Sequence, residues 1–381
     1  MTENRSAGMS LFDLLAREWT LDDGIVQTQF SGDDSAVLFR TLSGKVAMVP
    51  TRDAESPRSR TRIEGDTGRT TIRQRKHPVP EPRIATARVS SALPVVRFGR
   101  EGFAAVDTEG AVQLITARGE CIEKVRPDEV AITAFGGDDE GGIVAIARQS
   151  HLSIYRSSTM DVRTDVDLDR PVRCMALDPA GKVLATWGDE RIEFVDVDRP
   201  GTSPGETGSG NIERIANVTL MTWDHSGKYL ACASSDRAFY VVDRDAGTCR
   251  KVENYPDRVG NVAFCETGKA LVTSGAYRLA GWAIDDLPRG DHAGTPLTTG
   301  KAGLVIIDAI AAHPSRSLVA SGYASGLVTI SSIGTTQELM VHQEHSSRVT
   351  SLTWSNNGEH LAIGFSCGKA AVVTFPDRFF K

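Results

Sequence analysis

The side chains with catalytic potential are scattered along this chain rather than gathered into a motif. The pattern Gly-x-Ser-x-Gly, typical of a hydrolase nucleophile, occurs twice, at residues 201–205 and 364–368. A nucleophilic serine of that type needs a sharp turn from a strand into a helix. Ser203 lies in a Pro/Gly-rich stretch with no helical pattern after it, and Ser366 lies in a turn between two apolar-alternating segments. The sequence therefore predicts that neither match is an active site.

Metal-binding and phosphate-binding patterns are equally sparse. His342 and His345 have HxxH spacing and could bind a metal ion if another segment supplied a third ligand. The sequence favours the alternative, a turn histidine at 345 and a solvated strand residue at 342. The stretch GDTGRT (65–70) lacks the Lys and the following helix of a phosphate loop, which favours a hairpin turn. No catalytic residue, metal or cofactor is therefore predicted, and the protein is expected not to be an enzyme.

Composition and charge argue against several classes of protein. The 381 residues carry a net charge of −6, which argues against nucleic-acid binding by the whole surface. No apolar run approaches the ~18 residues of a membrane helix, and the first ten residues lack the apolar segment of a signal peptide. The six cysteines are widely spaced, so reduced, mostly buried thiols are expected. These features predict a cytoplasmic protein with no membrane contact.

A repeated unit runs through nearly the whole chain. Its clearest copy is VTSLTWSNNGEHLAIGFSCGKAAVVTF (349–375), in which three apolar-alternating strands are separated by two polar turns containing Gly. Similar units occur at 25–50, 93–117, 130–155, 172–197, 218–243, 259–284 and 307–333. The usual step of about 40–49 residues is the period of a four-stranded propeller blade.

The blade count and the closure of the ring follow from this repeat. Eight units favour eight blades, with seven as the alternative if the first or third unit is not a full blade. The last unit has no fourth strand of its own, and residues 16–23 can supply one. We therefore predict an all-β, closed β-propeller of four-stranded antiparallel blades, spanning residues 1–381 as one domain and closed by the N-terminal strand.

The repeat resembles a blade of the WD-repeat β-propeller family. His345 lies where the family has its Gly-His histidine, Trp282 matches the core Trp, and the turn Asp is matched by Asp189 and Asp236. The chain departs from the pattern because it has no Trp-Asp pair at the third-strand ends, and Cys367 replaces the turn Asp of the last unit. The resemblance implies a non-enzymatic scaffold for protein–protein interaction.

A narrower role follows from a looser resemblance. The degenerate repeats and the terminal PDRFFK are similar to those of bacterial WD-repeat proteins, some of which are thought to accompany GTPase metallochaperones. This similarity implies a scaffold that is accessory to a bacterial zinc-homeostasis GTPase. The alternative is a propeller enzyme or metal-dependent hydrolase, which metal analysis of the purified protein would distinguish.

The loops that lead into the first strands of the blades are the first candidate contact surface. Arg258 and Arg348 hold the same place in their units, directly before Val259 and Val349, and Tyr255 lies nearby in sequence. Arginine and tyrosine are favoured at protein interfaces. We predict a partner-binding patch of Tyr255, Arg258 and Arg348, with ordinary polar loop residues as the alternative.

A basic insert at 51–83 interrupts the first blade and is the second candidate surface. Residues 52–88 contain ten Lys/Arg and five Asp/Glu, a net of +5 in an acidic chain. The insert should form a hairpin and a Pro-rich arm on the opposite face of the ring, and an acidic protein surface or the ring itself should bind it. It lacks the aromatic residues that stack nucleic-acid bases. Its candidate contacts are Arg62, Arg69, Arg73, Arg75 and Lys76.

A second insert, at 198–211, differs from the first in composition. It is rich in Gly, Ser and Pro and carries few charges. Such a composition predicts a flexible loop. The identity of the partner and the oligomeric state are not encoded in any pattern of the chain.

Overall fold

The repeated units fold as eight antiparallel sheets around one channel, so the chain is an all-β, eight-bladed propeller. The computed structural model describes residues 10–63, 70–198, 212–343, 347–376 and 379–380. Within a blade the first strand lies at the channel and the last at the outer rim. The predicted fold is confirmed, with eight blades rather than seven.

The described part of the N-terminal half contains two short helices, the closing strand and four blades. The opening elements are α1 (Leu11–Leu15) and β1 (Ala16–Thr20). Blade one with its insert comprises β2 (Ile25–Phe30), β3 (Ala36–Thr41), β4 (Val46–Pro50), α2 (Pro57–Arg60), β5 (Thr61–Ile63), β6 (Thr70–Ile72) and β7 (Arg83–Ile84). Blade two comprises β8 (Val96–Phe98), β9 (Gly102–Val106), β10 (Val112–Ile115) and β11 (Cys121–Val125). Blade three comprises β12 (Ala134–Gly137), β13 (Ile143–Arg148), β14 (His151–Arg156) and β15 (Val162–Asp167). Blade four comprises β16 (Cys174–Leu177), β17 (Val183–Gly188), β18 (Arg191–Asp196) and β19 (Ile212–Glu213).

The C-terminal half contains the other four blades. Blade five comprises β20 (Val218–Trp223), β21 (Tyr229–Ser234), β22 (Ala238–Asp243) and β23 (Thr248–Val252). Blade six comprises β24 (Val262–Cys265), β25 (Ala270–Thr273) and β26 (Ala280–Ala283), followed by a 3-10 turn at Ile284–Asp286. Blade seven comprises β27 (Ile307–Ala312), β28 (Leu318–Tyr323), β29 (Leu327–Ser332) and β30 (Glu338–Gln343). Blade eight comprises β31 (Val349–Trp354), β32 (His360–Phe365), β33 (Lys369–Thr374) and, at its outer rim, β1.

The hairpin turns between first and second strands are closed by polar side chains. Asp178 accepts a hydrogen bond from the backbone N–H of Val183 at 2.9 Å. Asp224 accepts one from the backbone N–H of Tyr229 at 2.6 Å. Short polar side chains stabilise turns in this way because they bind backbone donors that the chain reversal leaves unpaired. These turns fix the spacing between the inner strands and therefore the shape of the channel.

The apolar side chains form eight separate core clusters, one in each cleft between neighbouring blades. Period-2 alternation produces this arrangement, because each strand directs its side chains alternately to the two faces of its sheet. In the cleft between blades eight and one, Phe30 and Phe39 are fully buried beside Val372. Burying a side chain of this size contributes about 1.5–3 kcal/mol. The ring is therefore stabilised cleft by cleft rather than by one central core.

The predicted closure by the N-terminal strand is confirmed. β1 pairs antiparallel with β33 in a register that runs from Ala16 opposite Val373 to Thr20 opposite Lys369. Trp19 of β1 is 6% exposed and belongs to the core between blades eight and one. We call this junction the seam. The N-terminal strand therefore completes the last blade and covers the outer rim of the seam.

Hydroxyl groups join the two blades of the seam at the channel. The Thr28 Oγ1 of blade one lies 2.9 Å from Ser351 Oγ and 2.8 Å from Thr353 Oγ1 of blade eight. Thr353 also donates to the carbonyl oxygen of Thr28 at 2.9 Å. Buried hydroxyls arranged in this way satisfy one another and add directional contacts between the innermost strands. The seam is thus held at both its inner and its outer edge.

Blade six departs from the pattern because its sheet has three strands. In place of a fourth strand, residues 296–299 approach β26 through two isolated bridges, Trp282 to Pro296 and Leu279 to Thr299. The backbone N–H of Leu297 donates to Gly281 O at 2.8 Å. The outer rim of blade six is therefore covered by an irregular segment, which leaves the cleft towards blade seven less completely closed.

Candidate partner-binding site

The predicted patch of Tyr255, Arg258 and Arg348 is only partly at the surface. Tyr255 is 6% exposed, packs edge-to-face on Phe239 and has its hydroxyl 2.7 Å from Thr273 Oγ1. Burial raises the pKa of this tyrosine, and its side chain belongs to the core between blades five and six. The prediction that Tyr255 offers a contact is therefore wrong, because the residue fills a cleft and already has its hydrogen-bond partner.

Arg258 and Arg348 are exposed and lie around one buried carboxylate. The Arg348 Nε is 3.1 Å from the Asp308 Oδ2, and the charge of Arg258 also acts on Asp308. Burial raises the pKa of Asp308, and the two arginines oppose that shift. The pair is therefore brought together by the fold, although Arg348 is already engaged in an ion pair of its own chain.

The channel itself contains a cavity of about 500 Å³. Its lining comes from the first residues of the innermost strands and the loops before them, including Gln27, Asn261 and the seam hydroxyls. Two arginines, Arg40 and Arg173, line the cavity, and no carboxylate does so among the described residues. This end of the channel is therefore polar and positively charged, in contrast to the net negative charge of the chain.

Arg40 has no acidic partner in this lining. It is 7% exposed, and its Nε donates to Gln27 Oε1 at 3.2 Å, while Nη1 donates to the carbonyl oxygens of Ser90 and Ser91. Burial lowers the pKa of Arg40, and no nearby charge compensates this effect. A buried guanidinium that meets only neutral oxygens retains an unbalanced charge. An anion in the channel would therefore be stabilised beside it.

Arg173 adds a second, accessible cation. It directly follows buried Val172 and is exposed in the cavity. Among the residues that the structure describes, no carboxylate lies within ion-pair distance of Arg173. The side chain is therefore available to a ligand that enters the channel.

A third arginine, Arg97, lies towards the opposite end of the first strands. The Nε of Arg97 donates to Phe30 O of blade one at 2.9 Å, and Nη1 donates to Asp139 O of blade three at 2.7 Å. Its Nη2 donates to Asn356 Oδ1 of blade eight at 2.8 Å. One guanidinium thus ties blade two to three other blades. The cavity itself is lined by residues at the start of the first strands, on the face that carries the loops into those strands.

The basic insert contains the predicted hairpin, because β5 and β6 pair antiparallel. Arg62, Arg73 and Lys76 are exposed, whereas Arg69 lies outside the described residues. The insert leaves the ring after a third strand, so it lies on the face opposite Arg258 and Arg348. The two predicted surfaces are therefore separate.

Arg75 is engaged within the insert, where it pairs with Asp53 instead of facing outward. Its Nη1 donates to Asp53 Oδ1 at 3.0 Å, and Asp53 also faces Arg17 of β1 at 3.9 Å. The Trp19 indole N–H donates to Pro80 O at 2.8 Å, which fixes the Pro-rich arm over the seam. This arm supports the interpretation that the ring itself binds part of the insert, and it removes Arg75 from the exposed contacts.

His342, the first histidine of the HxxH pair, lies in the core. His342 is 6% exposed, donates from Nδ1 to Gly326 O at 2.8 Å and packs between the rings of Phe12 and Phe365. The prediction of a solvated residue at 342 is therefore wrong, because this histidine is part of the core. His345 lies outside the described residues. No group of three potential ligands that could hold a metal ion occurs in the described ranges.

Of the two hydrolase-like matches, only the one at 364–368 lies within the described residues. Ser366 lies in a turn, with its Oγ 3.0 Å from Ser347 Oγ. Ser203 belongs to the predicted flexible loop at 198–211, of which only Asp198 lies within the described residues. The six cysteines are unpaired, and Cys367 is exposed. No helix in the described part of the chain is long and apolar enough to cross a bilayer.

Sequence reasoning missed the channel arginines. Arg173 directly follows the buried residue Val172. Because side chains alternate between the two faces of an extended segment, this order would have placed Arg173 on the face opposite a core residue. Arg40 carried no such signal, because its neighbours Phe39 and Thr41 are also buried. Only the assembled ring shows that both side chains line one cavity.

Comparisons with known proteins agree with this architecture. The family model described as WD domain, G-beta repeat matches residues 336–372. None of the curated proteins matches the chain. Among solved structures, the C-terminal WD40 domain of Sif2 matches with a TM-score of 0.63 and 13% identity, over 95% of this chain and 99% of that chain. The computationally designed Ika8 protein matches with a TM-score of 0.60 and 15% identity, over 93% and 98% of the two chains.

A third solved neighbour is a chain of the mitotic checkpoint complex, with a TM-score of 0.56 and 16% identity over 80% of this chain and 100% of that chain. Identities this low support the shared fold and nothing finer. The matched repeat lies across the outer strand of blade seven and most of blade eight. The chain is therefore an eight-bladed β-propeller in which residues 336–372 match the WD repeat, and its fold is similar to that of the WD40 domain of Sif2.

Proposed function

We propose that this protein is a non-enzymatic scaffold that binds an acidic segment of a partner protein at the channel mouth, with residues 1–381 acting as one domain. WD40 propellers generally mediate protein–protein interaction, which supports the class of function. The observation that carries the proposal is the lining of the channel cavity, which contains Arg40 and Arg173 and no described carboxylate.

The physical argument rests on charge and size. A cavity of about 500 Å³ accommodates one or two side chains of a peptide. Guanidinium groups bind carboxylates through charge-assisted hydrogen bonds, and these are stronger where water is partly excluded. Asn261, which also lines the cavity, would bind the peptide backbone. Arg258, exposed on the same face, would attract an acidic partner before it enters the channel.

The test is a titration with a fluorescein-labelled hexaglutamate peptide. We expect the wild-type protein to bind it, with an affinity that weakens as salt increases. R173Q should weaken binding about tenfold, which corresponds to about 1.4 kcal/mol. The matched control is R214Q, because Arg214 is exposed near the entry of blade five and does not line the cavity.

Two results would contradict the proposal. One is the absence of binding to hexaglutamate by the wild-type protein. The other is an equal loss in R173Q and R214Q, which would show that the peptide senses only the overall surface charge. A triple R62Q/R73Q/K76Q variant tests the basic insert, which is the second candidate surface. A loss of peptide binding in this variant would assign the acidic partner to the insert instead of the channel.

The narrower roles stay predictions. An accessory role with a zinc-homeostasis GTPase predicts that this GTPase co-purifies with the protein. Loss of the co-purification in the R173Q variant would show that the GTPase binds at the channel mouth. The alternative of a propeller enzyme or metal-dependent hydrolase would be favoured by stoichiometric metal in the purified protein. Cytoplasmic location is likewise a prediction, which cell fractionation would test.

A further inference from the structure

The incomplete rim of blade six opens a second cavity, far from the channel. It has a volume of about 540 Å³ and lies between the segment 301–305 and the outer strands of blade seven. Because blade six has no regular fourth strand, this part of the cleft is not covered by main-chain pairing. The cavity is therefore a product of the one irregular blade. We call it the rim groove.

The outer wall of the rim groove is apolar and exposed. Leu304 is 95% exposed and Met340 is 49% exposed, and both line the groove. Tyr277, 47% exposed, adjoins them because its carbonyl oxygen accepts from Gly303 N–H at 3.0 Å. The other large exposed apolar residues that the structure describes lie on other blades or loops. Neighbouring exposed apolar side chains of this kind mark interaction surfaces.

The inner wall of the rim groove is polar. Tyr323 is 6% exposed, and its hydroxyl donates a long hydrogen bond to Glu338 Oε1, with an oxygen–oxygen distance of 3.4 Å. Thr329 is 3% exposed and lines the groove next to Tyr323. No Lys, Arg or His within the described ranges lies within ion-pair distance of Glu338. One carboxylate and two hydroxyls thus line a groove that nothing in the described chain fills.

We propose that the rim groove binds a lysine or arginine side chain of a partner protein. The aliphatic stem of such a side chain packs on Leu304 and Met340, and its charged head reaches Glu338. Long basic side chains combine an apolar stem with a polar head, which matches the two walls of the groove. The backbone of the partner then runs along the exposed outer strand of blade seven.

A purely apolar side chain fits the groove less well. It would cover the Glu338 carboxylate without giving it a cationic partner, and burying a charge without such a partner is costly. Lys301 also lines the groove and would repel a cation, so the head must approach from the Glu338 end. This proposal concerns the outer rim and a basic partner residue, and it is independent of the acidic ligand assigned to the channel.

The test compares three labelled peptides that differ at one position. The probe has a lysine between two leucines, and the matched peptides have norleucine or glutamate in its place. We expect the lysine peptide to bind tightest and the glutamate peptide weakest. E338Q should weaken binding of the lysine peptide about tenfold and leave binding of the norleucine peptide unchanged. L304S should weaken binding of both.

Controls use equivalent residues elsewhere. Glu101 and Ile122 are exposed on blade two, so E101Q and I122S should bind the lysine peptide as the wild type does. R173Q should also bind it normally, which separates this site from the channel. Hydrogen exchange should show protection of residues 301–305 and 338–343 when the peptide is bound. Equal or tighter binding of the norleucine peptide, or an unchanged affinity in E338Q, would overturn the proposal, as would the absence of lysine-peptide binding.

Discussion

The seam between blades eight and one and the cleft between blades six and seven are built from the same kind of strands, but they differ at the outer rim. At the seam, β1 pairs with β33 along its full length, and the insert covers the outside. At the other cleft, blade six has only two isolated bridges at its rim, and Leu304 is left exposed.

The difference shows that main-chain pairing and side-chain packing have separate roles in this ring. Both clefts contain an apolar cluster, so burial alone does not determine which of them is closed. The seam must hold two distant parts of the chain together, and it has hydroxyl contacts, a strand pair and an ion pair for that purpose. The cleft between blades six and seven joins consecutive blades and tolerates an open rim that can be used for binding.

The largest expected effect is the loss of Trp19 from the seam. Trp19→Ala removes a buried aromatic side chain and its hydrogen bond to Pro80 O, so we expect a decrease of about 3–5 kcal/mol in unfolding free energy. Leu297→Ala, in the half-buried rim of blade six, should cost about 1–2 kcal/mol. Urea denaturation of both variants measures the contrast. Equal losses would show that the seam has no special role.

The next effect concerns the ion pair that fixes the insert. Asp53→Asn leaves buried Arg17 without its acidic partner, and burial already lowers the pKa of Arg17 to about 10. We expect a decrease of about 3 kcal/mol in unfolding free energy, because a buried charge loses its counter-ion. Asp22→Asn, which removes an exposed pair with Lys45, is the control and should leave the denaturation curve unchanged. A curve for D53N that matches the wild type would show that the insert does not stabilise the seam.

Acid should weaken blade eight on both of its sides. Burial lowers the pKa of His313, towards blade seven, and of His360, towards blade one, to about 4 in each case. His313 is held neutral because Nδ1 accepts from Ser315 N–H and Nε2 donates to Gly358 O. In the unfolded chain a histidine has a pKa of about 6.5. The unfolded state therefore binds more protons as pH falls from about 6.5 to about 4, and stability decreases over that window.

The size of this pH effect can be measured on one residue. For His313 the decrease should reach roughly 2 kcal/mol by pH 5 relative to neutral pH. Urea denaturation at pH 7.5 and pH 5 should show a smaller pH dependence in H313Q than in the wild type. H225Q, at an exposed histidine, is the control and should keep the wild-type dependence. An unchanged dependence in H313Q would contradict the assignment.

The smallest expected effect lies at the open rim. Leu304→Ser should change the unfolding free energy by less than about 0.5 kcal/mol, because the side chain is almost fully exposed. A matched Leu→Ser change at Leu361, which is fully buried in blade eight, should destabilise the protein strongly. A large loss in L304S would show that the rim of blade six is part of the core rather than a free surface.

The sequence predicted the ring because period-2 alternation and Gly turns are local signals. The predicted units at 25–50, 218–243 and 349–375 begin at the first residues of β2, β20 and β31. The fourth strand of blade one begins where the predicted insert at 51–83 ends, but only Arg83–Ile84 pairs with β4, so this strand is very short. Such lengths depend on twist and on neighbouring loops, which the alternation of residues does not record.

The site residues were harder to predict because their surroundings come from distant parts of the chain. Tyr255 looked like a loop residue, yet Thr273 and Phe239 enclose it. The pairing of Arg75 with Asp53 links residues on either side of a hairpin, so the charge count of the insert could not reveal it. The channel arginines come from blades one and four, which only ring closure brings to one cavity.

The eight core clusters also determine how the molecule can come apart. In a linear array of repeats the end units have one neighbour and are lost first. Here the pairing of β1 with β33 gives every blade two neighbours, so the array has no end units. Pulling apart any single cleft only converts the ring into an open arc whose other seven clefts remain packed. A blade is released from the ring only after a second cleft opens.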